Sequence, residues 1–83
     1  MEIMQRAFQI EQKDNVATAL EGLMPGALRL LGDGCMREAE AVQKIPKGHK
    51  IALQNIRAGE DVIKYGVRIA RASKDIRAGE WVH

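Results

Sequence analysis

An eight-residue unit occurs twice in this chain. Asn55-Ile56-Arg57-Ala58-Gly59-Glu60-Asp61-Val62 returns as Asp75-Ile76-Arg77-Ala78-Gly79-Glu80-Trp81-Val82, with six of the eight positions identical. A looser copy, Ile45-Pro46-Lys47-Gly48-His49-Lys50-Ile51, precedes them, and Leu23-Met24-Pro25-Gly26 reads as a worn fourth. Each runs from an apolar residue through two turn formers to a glycine. Glycine there supplies the positive φ that a type II turn or a bulge requires. The flanking Ile and Val residues anchor both ends of the turn in a core, and Pro46 presets φ at the first turn position of its copy. Bends at this spacing make short strands that keep changing direction. A solenoid, which needs about three or more stacked full-length repeats, does not fit in such a chain. Gly59→Val and Gly79→Val are each expected to destabilise by roughly 1–3 kcal/mol.

Between the turns, apolar and polar residues alternate as they do in half-buried strands. Ala7-Phe8-Gln9-Ile10-Glu11 reads as an opening strand, and Lys50-Ile51-Ala52-Leu53-Gln54 puts Ile51 and Leu53 on one face. Val67-Arg68-Ile69-Ala70-Arg71 sets Val67 and Ile69 against Arg68. Met36 to Val42 has helix-forming composition, but Asp33-Gly34 before it is a hairpin signal, and strand is slightly favoured. The fold class expected is mainly β.

Eighty-three residues make one domain, 1–83. At 46% hydrophobic and 29% charged residues the balance is globular. Phe8, Tyr65 and Trp81 are the whole aromatic set, so the core must come from aliphatic side chains. No apolar run approaches the roughly 18–20 residues that cross a bilayer, and Gln5, Arg6 and Gln9 interrupt any signal-peptide core. Cys35 stands alone, which excludes an internal disulfide and, with no catalytic pattern around it, reads as unreactive. The cytoplasm is the expected compartment. A net charge of +2 without a stacking platform excludes nucleic acid as a partner.

Three segments in fixed order carry a family resemblance: Gly48-His49-Lys50-Ile51-Ala52-Leu53, Val62-Ile63-Lys64-Tyr65-Gly66 and Gly79-Glu80-Trp81-Val82-His83. Together with Asp14-Asn15-Val16-Ala17 they resemble the SAF domain of the altronate and galactarate dehydratases, which also forms the small subunit of sulfolactate sulfo-lyase. The resemblance spans roughly residues 8–83 and is strongest over 45–83. It implies a β-clip: a small, twisted all-β domain with long hairpins. It further implies an accessory small subunit or N-terminal domain of a metal-dependent sugar-acid dehydratase. A larger catalytic subunit or domain would be its partner, a hydroxylated carboxylic acid its substrate, and a divalent, iron-type metal a cofactor of the complete enzyme. No metal is expected on this chain alone, nor turnover by it. The family's pattern continues past His83 with one further residue, a second His and an Asn; the sequence in hand holds the first half of that motif.

Elimination of a β-hydroxyl from a sugar acid needs a base for the α-proton, a Lewis acid for the departing hydroxyl, and cations on the carboxylate. His49 is either a ligand, acid or base at a cleft edge, or an imidazole satisfying a turn carbonyl. Lys50 follows it in the same motif. Lys64, Tyr65 and Gly66 combine a compact cation, a phenolic donor and a close backbone approach, the makings of an anion contact; the bland alternative is an edge lysine beside a core tyrosine. Asp14 and Asn15 are substrate contacts by the resemblance and an Asx turn by local chemistry. His83 is a weak metal candidate in a site this chain cannot complete alone. Arg57, Arg77, Glu60 and Glu80 recur with the repeat and read as solvated turn residues that pair locally. Trp81 reads as core or interface.

Two other readings compete with the dehydratase one. A sulfo-lyase subunit differs in leaving group, and a SAF ligand-binding or assembly module would work without catalysis. If a large partner exists, an exposed apolar patch is expected on the surface.

Overall fold

The computed structural model describes residues 5–33 and 38–83. Cys35 and the Gly34 and Met36 parts of the segments above lie outside them. Every regular element among the described residues is a strand. They are β1 (Arg6–Gln9), β2 (Val16–Ala19), β3 (Gly26–Gly32), β4 (Glu38–Ala41), β5 (Lys50–Ala52), β6 (Asp61–Lys64), β7 (Val67–Arg71) and β8 (Trp81–Val82). The mainly β expectation holds, including strand at Glu38–Ala41 where helix competed.

Six strands form one sheet in the order β4-β3-β1-β2-β5-β8, parallel between β1 and β3 and antiparallel elsewhere. β6 and β7 make a separate antiparallel ribbon. The sheet curls until its edges meet. Val42, next to β4, donates its N–H to the Gly79 carbonyl, and the Trp81 N–H in β8 donates to Gln43 Oε1 at 3.1 Å.

The repeated units explain how so few residues hold this shape. Their turns close as expected of type II: His49, Glu60 and Glu80 donate their N–H groups to the carbonyls of Pro46, Arg57 and Arg77. Gly48, Gly59 and Gly79 sit third in these turns with φ of 83°, 87° and 90°. Pro46 is the first residue of its turn, one before the position where its ring would preset φ; Lys47 fills that place. The units then pair. Ile56 and Ile76 exchange N–H···O bonds of 2.7 Å, and Leu23 and Ile45 do the same at 2.7 and 3.0 Å. The alanine four residues before each apolar anchor joins in: Gly59 N–H reaches Ala72, Gly79 N–H reaches Ala52 and Gly48 N–H reaches Ala19. Gly26 faces Ala41 in the β3–β4 ladder, so the worn copy is a working one.

Each pair of turns seeds its own core. Leu23, Ile45, Ala19 and Ala41 join Ala7, Ala17, Leu28, Leu30, Ile51 and Leu53 on one face of the sheet. Ile56, Ile76, Ala52 and Ala72 join Val16, Val62 and Val82 on the other. β5 ends at Ala52, yet Ile51 and Leu53 share a core as their spacing predicts. Burying an aliphatic side chain of this size contributes roughly 1.5–3 kcal/mol. The alternation in Val67–Arg71 is a strand as expected, but all five of its residues are exposed, and the Val67/Ile69 face covers nothing.

Candidate functional site

In three of the four copies the residue after the first apolar anchor presents a backbone amide at the mouth of its turn, and a side chain covers it. Arg57 N–H donates to Glu60 Oε1 at 2.6 Å, Arg77 N–H to Glu80 Oε1 at 2.8 Å, and Met24 N–H to Gln5 Oε1 at 2.9 Å. Glu60 and Glu80 therefore hold amides rather than pair with the arginines of their own turns. The equivalent in the Ile45 copy is Pro46, which has no N–H to cover. The position after the glycine, which caps in the Ile56 and Ile76 copies, is thereby released, and His49 occupies it.

The His49 side chain is exposed and meets the Trp81 ring edge-on, with centroids 5.2 Å apart at 81°. His83 lies against the same indole at 4.4 Å. The ladder explains the grouping: Lys50 pairs with Val82 and Ile51 with Trp81, so one further step sets His49 opposite His83. Trp81 is half-buried against the first core, and its Nε1 is buried without a hydrogen-bond partner.

Beside this cluster a cleft of about 550 Å³ opens between β8 and the chain leaving β7. Lys50, Arg71, Lys74 and His83 line it with Trp81 and Ile69, and no carboxylate does. Three fixed cations around a concave surface attract anions and supply donors of the geometry a carboxylate accepts. Arg71 is partly engaged, its Nε 3.7 Å from Asp61 Oδ1.

The remaining candidates gather elsewhere. Lys64-Tyr65-Gly66-Val67 closes the β6–β7 hairpin, with positive φ at Tyr65 (57°) and Gly66 (76°), the signature of a type I′ turn. Gly66 N–H donates to Asp14 Oδ1 at 2.8 Å, and a Cβ at Gly66 would lie 2.6 Å from a Glu11 carboxylate oxygen. Lys64 Nζ sits 4.8 Å from the Tyr65 ring centroid, a cation–π contact. Asn15 clasps β6 by accepting from Ile63 N–H at 2.7 Å and donating to the Asp61 carbonyl at 2.8 Å. Asp14 also accepts from Glu11 N–H at 3.2 Å. Asp14 and Asn15 are buried, and these bonds hold the hairpin to the start of β2. Lys50 pairs with Thr18 at the other end of β2, about 13 Å of extended chain away. The candidates thus form two groups: His49, Lys50 and His83 around Trp81, and Lys64, Tyr65 and Gly66 above Asp14 and Asn15.

No three His, Cys, Asp or Glu side chains converge as a metal site among the described residues. His49 and His83 share an indole rather than a third ligand, and these residues do not make a closed metal site. Arg71, Lys74 and Ile69 were not singled out by sequence. Their signal was a charge bias: from Val62 to Lys74 there are four cations and no carboxylate. No helix of the described residues is long and apolar enough to cross a membrane.

Comparison with known proteins bears on the same segments. The chain is 40% identical over 80 residues to the altronate dehydratase of Bacillus subtilis (strain 168), covering 96% of this chain and 16% of that protein. It is 36% identical over 77 residues to the galactarate dehydratase (L-threo-forming) of Escherichia coli (strain K12), covering 90% and 14%. Over 44 residues it is 48% identical to the (2R)-sulfolactate sulfo-lyase subunit alpha of Chromohalobacter salexigens, covering 53% and 47%. The chain thus spans about one-sixth of the dehydratases it matches. The family described as altronate/galactarate dehydratase SAF domain matches residues 5–83, a stretch that holds both turn pairs, the β6–β7 hairpin and the cleft, and the chain belongs to that family.

Proposed function

We propose that this chain is the accessory part of a sugar-acid dehydratase, contributing the cleft between β8 and the chain after β7 to a substrate site completed by a larger catalytic part. The observation that carries this reading is the cleft's lining: Lys50, Arg71 and Lys74 with His83, and no carboxylate, in a member of this family. Lys50 and Lys74 hold the carboxylate of a hydroxylated acid and orient its α-carbon. His83 lines the cleft and His49 contacts the same Trp81 ring, and they supply the imidazoles that exchange a proton with the acid. The hairpin turn at Lys64, Tyr65 and Gly66, braced by Asp14 and Asn15, is a second, separate anion contact. Elimination itself, and any divalent metal, belongs to the larger part. The setting is the cytoplasm.

In the complete enzyme, Lys50→Met and Lys74→Met raise KM for the acid about tenfold or more with kcat little changed, as loss of a binding contact does. An unchanged KM in both variants overturns the cleft assignment. The purified chain by itself turns over no altronate or galactarate; turnover would refute the accessory reading. The 48% identity to a sulfo-lyase subunit favours a second reading, in which sulfite is the leaving group. Assay of the complete enzyme on altronate, galactarate and (2R)-sulfolactate separates the two.

A further inference from the structure

The β6–β7 hairpin is an arm held to the body along β6 by Asn15 and at its tip by Asp14, and its outer strand is unlike every other. Among the described residues β7 is hydrogen-bonded to β6 on one side and to no strand on the other. All five of its residues are exposed, whereas each other strand buries at least one. Tyr65, Val67 and Ile69 leave 52%, 58% and 46% of their surfaces in solvent, three large apolar groups within five residues. Native edges are usually blunted by charge and bulges, and this one has both: Arg68 stands between Val67 and Ile69 and Arg71 follows two residues on, and a bulge interrupts the ladder at Val62/Ile63. Those devices discourage indiscriminate pairing, but the apolar pair stays exposed.

The charge on the arm narrows the partner. Residues 62–74 carry four cations and no carboxylate, leaving nine cations against eleven carboxylates in the rest of the chain. Among the described residues Asp61 is the acid that reaches the arginines, at 3.9 Å from Arg68 and 3.7 Å from Arg71. The side chains of Asp61 and Arg68 are about half exposed and that of Arg71 about two-thirds. Pairing β7 with β7 of a second copy would gather four arginines on one ribbon, which repels. A strand bearing Asp or Glu would neutralise them. The relatives supply the source of such a strand, since the chain covers only 14–16% of the dehydratases it matches. The residues from Ile69 to Lys74 also wall the cleft. A strand added to the outside of β7 therefore brings its protein to the site.

We infer that β7 is a docking edge: an extended, acidic segment of the larger catalytic part adds to it as a further strand, seats apolar side chains on Val67 and Ile69, and pairs carboxylates with Arg68 and Arg71. The inference rests on the accessory-part reading above. The test places a photo-reactive p-benzoylphenylalanine at Ile69 in the complete enzyme and maps its cross-links by mass. The expected result is cross-linking to one segment of the catalytic part rich in Asp or Glu, with yield falling about tenfold when Arg68→Glu and Arg71→Glu are added. Cross-links to the arm of a second copy, cross-links to a segment without carboxylates, or none at all, would overturn it. Dehydratase activity of the complete enzyme with native Arg68, Ile69 and Arg71 separates the two failures, because Ile69 and Arg71 line the cleft. An active enzyme lacking the cross-link loses the docking edge and keeps the accessory reading; an enzyme inactive on every acid tested loses that reading, and the docking proposal with it.

Discussion

The copies of one turn diverge at the residue after the glycine. In the Ile56 and Ile76 units the side chain after the glycine is Glu60 or Glu80, and it folds back onto the amide of Arg57 or Arg77. In the Ile45 unit that amide is missing, because Pro46 replaces the arginine, and His49 replaces the glutamate. The backbone is the same: Ala19 N–H bonds His49 O as Ala72 N–H bonds Glu60 O. A residue required by the turn repeats with the turn. One that departs from the repeat, where the turn no longer needs it, is free to serve something else. The two turn pairs differ likewise. The Ile56/Ile76 pair braces itself, Asn55 accepting from Ala78 N–H and Asp75 from Ala58 N–H, both at 2.9 Å. Its counterpart has Gly22 and Lys44 at those places and borrows support from the start of β1 and the residue before it, through Gln5 on Met24 and Arg6 on Glu21.

The largest effect expected from breaking this comparison is at Gly79. Its φ is 90°, and an added Cβ would collide with the Glu40 carbonyl and press on Val42 at 3.1 Å. Gly59 has the same sequence setting and a φ of 87°, but open space around it. Gly79→Val should therefore destabilise by about 3–5 kcal/mol, strain plus overpacking, and Gly59→Val by about 1–3 kcal/mol from strain alone. Chemical denaturation of both settles it; equal losses would mean that the edge closure at Gly79 contributes nothing. The sequence had treated the two glycines as equivalent.

Next come the reciprocal braces. Asn55→Ala and Asp75→Ala each remove the acceptor for an amide in the partner turn and should cost about 1 kcal/mol apiece. Alanine at Gly22 or Lys44, the matching places in the other pair, removes no such bond. A loss at Lys44→Ala equal to that at Asp75→Ala would contradict the asymmetry.

Smaller still is the effect of restoring the repeat. Pro46→Arg together with His49→Glu rebuilds the amide and its cap, and stability should move by no more than about 0.5 kcal/mol. Activity of the complete enzyme should fall if His49 serves the cleft. Melting and turnover, measured on one preparation, give both answers.

Least of all is the contribution of Glu21. The hydrogen bond from the Arg6 side chain holds its carboxyl below the ordinary range, against a small opposing effect of burial. A depressed carboxyl stabilises the fold above its unfolded value and stops doing so as pH falls through its folded one. The wild type should therefore lose a slight stability advantage over Glu21→Gln on acidification below about pH 4.5. A difference that grows with acid would reverse the sign.

Much of the fold was legible because its instructions are local. The glycines in Ile-x-x-Gly force turns within four residues, and Ile51 and Leu53 alternate into one core regardless of partner. Val67 and Ile69 alternate just as well in a strand yet stay exposed, since periodicity says that two faces differ and not that anything covers one. Lys64-Tyr65-Gly66 was weighed as a ligand contact beside an edge strand. It is the tip of a hairpin, and nothing in a Tyr-Gly pair announces positive φ at tyrosine.

By itself the sequence determined the turns, the strands between them and the family, because glycine conformation, alternation and motif identity are all carried by near neighbours. Only the tertiary structure decided which turns pair, and with that which residues meet. Ile56 finds Ile76 and Leu23 finds Ile45 across twenty or more residues. Those choices curl the sheet, set His49 and His83 against Trp81, and send Asp14 and Asn15 to hold a hairpin about fifty residues away. Pairing at that range depends on the whole set of anchors closing at once, a cooperative condition that no single segment contains.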